Sequence, residues 1–289
     1  MPRSALALAT VTALLAACAN QPMEPVGPPT KEVIHAVTPG NQLIQFNAGQ
    51  PQKTLASKPL TGLAAGDTLL GIDYRVAKGQ LFGLGASGQL YRIDTKSGAA
   101  TAIGTPVGLP AGASEWGFDF NPTVDRIRVV NDAGFNFRIH PDTGAIVDAD
   151  PAAPGLQMDG RLHYDAADVN ASKAANIVAA GYTYNKDNDK ITTNYALDGK
   201  LGVLVHQGSK EGVQPAISPN TGRLFTVGSL GIGSFDKATL DISDVSNAAY
   251  SAITTGGKST WYRIDLATGK ATRIGTIVDG PVVGAAIEP

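Results

Sequence analysis

Four positions of this chain read as a set able to do chemistry. Asp73, Asp119, His163 and Asp241 fall at equivalent points of the similar strings LLGIDYR, WGFDFN, RLHYD and LDISD. Ala286 takes the same place near the C-terminus. Carboxylates gathered around one axis could ligate Ca²⁺ or another hard cation through oxygens at about 2.3–2.6 Å. Two of them could instead act as acid and base on a glycosidic bond. The plainer expectation is structural: an Asp that recurs with a repeat accepts hydrogen bonds from a neighbouring strand or turn, and recurs because the fold does.

The remaining motifs offer less. Gly83 to Gly88 fit G-x-G-x-x-G but lie between two strand patterns and open no helix, so the phosphate logic has no helix N-terminus to use. There is no G-x-S-x-G elbow and no H-E-x-x-H. The four histidines, at 35, 140, 163 and 206, lack metal-ligand spacing, so neither zinc nor any other metal site is assigned to them. Asn185, Asp187 and Asp189 alternate as Ca²⁺-loop ligands do, but Lys190 stands where that loop needs Gly, and a plain turn is expected. Trp116 follows a Pro/Gly loop and is a candidate for a ligand contact at a rim. Arg126 and Arg128 alternate on one strand and are expected to face solvent or pair with Asp132. No catalytic residue is assigned.

What positions these residues is a repeat. LYRIDTKSGAATAIGT (90–105), NFRIHPDTGAIVDAD (136–150) and WYRIDLATGKATRIGT (261–276) each give an alternating strand, a turn rich in Asp, Thr and Gly, and a second strand. Upstream lines repeat as well: 69–85, 116–131, a looser copy over 161–185, and 238–254. Asp73 lies eight residues before Leu81, as Asp241 lies eight before Ala249. Units of four antiparallel strands starting about 45 residues apart have the period of a β-propeller blade. Residues 33–58 supply three strands of a blade, and 281–289 supply one isolated strand that can complete it and close the ring. This predicts an all-β propeller of five four-stranded blades, or six if the extra hairpin within 201–230 is a degenerate blade of its own. Almost no helix is expected after the N-terminal run.

That run is an address. Arg3 precedes 13 apolar residues, 5–17, too few to span a bilayer, and Leu15-Ala16-Ala17-Cys18 matches a bacterial lipobox. The expected organisation is a signal peptide over 1–17, a Pro-rich tether over 18–32 that carries lipid on Cys18, and a propeller domain over 33–289. Ala19 gives no inner-membrane retention signal, so the expected location is the outer membrane, facing periplasm or cell surface. Cys18 is the only cysteine of 289 residues, which leaves the body without disulfides or a thiol nucleophile. A net charge of −2 with no basic stripe excludes nucleic acid as a partner.

The strings GDTLLGIDYRVAKGQLFGLGASGQLYRID and WGFDFNPTVDRIRVVND, with the YRIDLATG line near the end, resemble the bacterial domain of unknown function 4394 family over roughly residues 33 to 287. The resemblance implies an exported, propeller-like β domain and carries no reaction or catalytic residue with it. The expected function is a tethered binding or scaffold module for a protein, peptide or glycan. The alternative is a glycoside hydrolase-like enzyme with carboxylates in its central funnel.

Overall fold

The turn chemistry written into the repeats sets the strand boundaries. Asp94 Oδ1 accepts from the backbone N–H groups of Lys96 and Ser97 at 2.8 and 3.2 Å, and the Gly98 N–H closes the turn on the Asp94 carbonyl at 2.8 Å. Asp265 holds Ala267, Thr268 and Gly269 in the same way. Gly98 and Gly269 have φ of 78° and 83°, a conformation that a side chain would strain.

The computed structural model describes residues 24–289. Strands β1 (Val33–Val37), β2 (Gln42–Asn47) and β3 (Thr54–Pro59) belong to blade one. Blade two holds β4 (Leu69–Arg75), β5 (Gln80–Gly85), β6 (Leu90–Ile93) and β7 (Ala100–Ile103). Blade three holds β8 (Trp116–Asn121), β9 (Arg126–Asn131) and β10 (Asn136–Ile139), with a lone Ile139–Ile146 bridge where a fourth strand would run. In blade four, β11 (His163–Tyr164) lies outermost, and β12 (Ile177–Tyr182), β13 (Asn194–Asp198), β14 (Val203–Gln207) and β15 (Arg223–Ser229) run outward from the axis. Blade five has a broken inner strand, β16 (Lys237–Ala238) and β17 (Asp241–Ile242), then β18 (Ala249–Thr255), β19 (Lys258–Ile264) and β20 (Ala271–Thr276). Finally β21 (Gly284–Ile287) pairs with β1, Ile34 opposite Ile287 and Val37 opposite Gly284, and completes blade one from the inside.

The ring therefore has five blades and is closed by the C-terminal strand. Two expectations change. The hairpin within 201–230 is no sixth blade, because β14 and β15 are outer strands of blade four. His163 is not on an inner strand: β11 pairs in parallel with β15, His163 beside Arg223. The true inner strand, β12, is buried on both faces, so IVAAGY carries no period-two signal, and the alternating RLHYD string took its place in the alignment.

The inner strands approach closely at one level. A Cβ on Gly117 would lie 2.7 Å from the Ala180 nitrogen, and one on Gly284 would lie 2.7 Å from the Ile72 nitrogen. The apolar core fills the seams between blades. Between blades five and one, Trp261 packs on Phe46 and Tyr250 at centroid distances of 5.2 and 5.6 Å.

The signal run, Cys18 and the start of the Pro-rich segment lie outside the described residues. From Glu24 onward that segment is docked. Glu24 pairs with Arg273 and accepts from the Thr276 N–H, Thr30 and Asn47 exchange two hydrogen bonds of 2.8 Å, and Ser246 donates to Glu32 at 2.9 Å. Residues 24–32 thus strap blade one to blade five.

Candidate functional site

The pleat of the inner strands aims Asp73, Asp119 and Asp241 at the next blade. Asp73 Oδ2 accepts from the Phe120 N–H at 2.7 Å, Asp119 Oδ1 from the Tyr182 N–H at 3.0 Å, and Asp241 Oδ2 from the Ile287 N–H at 2.6 Å. Each carboxylate pins its own blade to its neighbour. Position alignment with Phe120 and Tyr182 puts Gly181 in this place in blade four and Ala286 in blade one. Gly181 offers no acceptor, and the Ile242 N–H is taken instead by Asp241 Oδ1 at 2.6 Å. His163 lies outside the set, exposed, with Nδ1 2.9 Å from the Arg161 carbonyl oxygen.

The three carboxylates converge. One oxygen from each lies within 4.8 Å of the others, and the residues are 4%, 3% and 8% exposed. Burial, then the neighbouring carboxylate charge, holds Asp73 and Asp119 well above the usual range. Burial pushes Asp241 up to about 7. Burial first, and then the charges of Asp73, Asp119, Asp241 and Asp244, push the Tyr184 phenol upward. The oxygens can share protons near neutral pH, and their spacing also fits one bridging hard cation. They cannot reach a sugar. On the side of the inner-strand glycines the axis narrows to a void of about 10 Å³, room for about one water, lined by Gly71, Gly117, Ala179 and Gly284 among others. Half-buried Trp116 borders that void and packs on the core between blades two and three. The acid–base reading of these residues fails on this geometry.

A second polar region lies between blades three and four. Register places Asp119, Arg128 and Arg138 side by side across blade three. Arg128 is 1% exposed, contrary to its expected place at the surface. It donates to Asp159, to Asn136 at 2.8 Å, to Asn220 at 2.6 Å and to the Tyr182 hydroxyl at 3.2 Å. Arg138 grips the same Asp159 through two bonds of 2.8 Å. Asp132, the expected partner, instead accepts from the Ser114 and Glu115 N–H groups. Two adjoining cavities of about 400 and 340 Å³ share Asn121, Tyr182, Ser218 and Pro219 and form one cleft.

The family described as a domain of unknown function, DUF4394, matches residues 42–286. The chain belongs to this family. No curated protein matches this DUF4394 chain. Among solved structures it is similar to a structural genomics protein of unknown function from Bacteroides thetaiotaomicron, at 14% identity and a TM-score of 0.44, over 85% of this chain and 58% of that one. It is also similar to an auxiliary nutrient binding protein from the same organism, at 10% identity and a TM-score of 0.40, over 87% of this chain and 49% of that one. This DUF4394 chain thus spans less than two thirds of either structure.

One other stretch in the DUF4394 ring resolves simply. Asn185 Oδ1 accepts from the Asp187 and Asn188 N–H groups at 3.0 and 2.9 Å, which makes the NKDNDK stretch a turn. Arg128, Arg138 and Tyr184 were not signalled as site residues by any motif. A register signal did exist for Arg128: the residue opposite the Asp in β5, β9 and β18 is Phe82, Arg128 and Tyr250, so blade three alone puts a charge where its siblings put a ring.

Proposed function

We propose that this DUF4394 propeller is a membrane-tethered, extracytoplasmic binding module rather than a hydrolase. The observation that carries the reading is the commitment of Asp73, Asp119 and Asp241 to backbone N–H groups of adjacent blades, in a core no substrate enters. The carboxylates that would have served as acid and base are spent on closing the ring. The concave surface that gathers the most basic side chains is offered by the cleft between blades three and four, lined by Arg126, Arg128, Arg138, Lys190 and Lys210. The lipobox at Cys18 supports a lipid anchor, and Ala19 supports the outer membrane as the site of action.

The test uses the full chain purified in detergent, applied to glycan and peptide arrays while release of reducing sugar is followed. Saturable binding without turnover is the expected result. Turnover lost on Asp119→Asn would overturn the reading. Incorporation of labelled palmitate, lost on Cys18→Ser, checks the anchor.

A further inference from the structure

We infer that the cleft between blades three and four binds a carboxylated saccharide, with Arg126 of blade three holding its carboxylate; this rests on the binding-module reading above. The first ground is charge. The chain as a whole carries −2, yet Arg126, Arg128, Arg138, Lys190 and Lys210 line this one cleft. Against them stand Glu211 in the wall and Asp159 beneath it. Asp159 already serves two guanidinium groups. Arg126 spends only one terminal nitrogen, on the carbonyls of Val124 and Asp125, and its remaining donors have no protein partner among the described residues. A planar guanidinium with free N–H groups beside two more is suited to a carboxylate, which it can meet through two parallel hydrogen bonds.

The second ground is independent of charge. Asn194 is 2% exposed and lines the other half of the cleft. Its orientation is fixed by a chain of bonds: Gln207 Nε2 donates to the Pro219 carbonyl at 2.7 Å, so Gln207 Oε1 accepts from Asn194 Nδ2 at 3.2 Å. That leaves Asn194 Oδ1 buried with no donor. Such an atom costs free energy until a donor reaches it. A carboxylate cannot supply one; a hydroxyl can. Around it Thr123, Thr192, Ser209 and Ser218 add further hydroxyl groups to the wall. A ligand that brings a carboxylate to one end of the cleft and hydroxyl donors to the other is a uronic acid-containing saccharide. An acidic peptide satisfies the first requirement and supplies fewer free hydroxyls for the second.

Isothermal titration calorimetry on the full chain in detergent tests this, with oligogalacturonate as probe and neutral oligogalactose of equal length as control. Oligogalacturonate is expected to bind, to weaken as salt is raised, and to lose at least tenfold in affinity on Arg126→Ala. Arg126 is only half-buried, so that variant should keep its melting temperature. Arg92→Ala, the exposed blade-two counterpart of Arg138, should leave affinity unchanged. Equal binding of the neutral oligomer, or an Arg126→Ala variant that binds as before, would overturn the carboxylate subsite while the binding-module reading stands. Binding of poly-glutamate in preference to the saccharide would overturn the ligand class. Turnover of the probe would instead sink the binding-module reading itself.

Discussion

The seam between blades two and three and the seam between blades three and four are built on one plan and filled differently. In both, an inner-strand Asp accepts the backbone N–H of the next blade, from Phe120 in the first and Tyr182 in the second. One strand further out, the first seam packs Phe82 edge-on against Phe120 at 5.2 Å, whereas the second sets Arg128 against the Tyr182 hydroxyl. Burying a Phe contributes about 1.5–3 kcal/mol. A buried ion pair such as Arg128–Asp159 adds little net stability, because desolvation offsets most of the attraction. The pin closes the ring, and the residue beside it decides whether a seam is only core or also a polar wall.

Five tests break or sharpen this comparison. The largest effect is expected from Asp159→Ala, which strands Arg128 and leaves Arg138 unpaired; urea melts should show a loss of about 3–5 kcal/mol. Phe82→Ala in the apolar seam should cost a similar ~3–5 kcal/mol through the cavity it leaves, but Phe82→Leu should recover most of that loss, whereas no conservative swap at Asp159 should.

Smaller effects are expected at the pins. Asp73→Ala removes the acceptor for the Phe120 N–H and should cost about 1–3 kcal/mol, measured by urea melts. Asp73→Asn keeps an oxygen there and removes a charge from the cluster, so it should cost less than half as much.

The pH response follows from the same cluster. Raised carboxyl values mean that the folded state holds protons the unfolded chain has released. That stability is fully present below the ordinary Asp value and is lost as pH rises through the raised values, about 7 for Asp241, with Asp73 and Asp119 shifted in the same sense by burial and the neighbouring carboxylate charge. His35, bonded to the Tyr74 hydroxyl and pushed down to about 4 by burial, works in the opposite sense, and its contribution fades as pH falls from 6.5 toward 4. Above pH 6.5 the carboxylates act alone, so the melting temperature should fall from there upward, and less steeply in Asp119→Asn. A flat profile that becomes steep on adding a chelator would instead assign a bridging cation to the cluster. The smallest effect is expected from Arg92→Ala, whose exposed side chain should change stability by no more than about 0.5 kcal/mol.

Much of this was legible in the chain. The YRID turns, the inner-strand Asp residues and the split blade one follow from period-two alternation and turn residues, which are local properties. His163 was misplaced because β12 is apolar on both faces and hides its own periodicity. Arg128 was misread because alternation marks which face a side chain takes, and in a ring of blades both faces of a sheet are covered by the blades on either side.

By itself the sequence determined the all-β repeat and the closing C-terminal strand, and left five or six units open. Only the tertiary structure decided that three aspartates meet within 4.8 Å and are consumed as pins, and that three arginines gather on one seam. The physical reason is range. Turns and strand patterns are fixed by neighbours a few residues away, whereas the charge that Arg128 meets, at Asp159, is 31 residues along the chain, and the phenol it shares with blade four is 54 along.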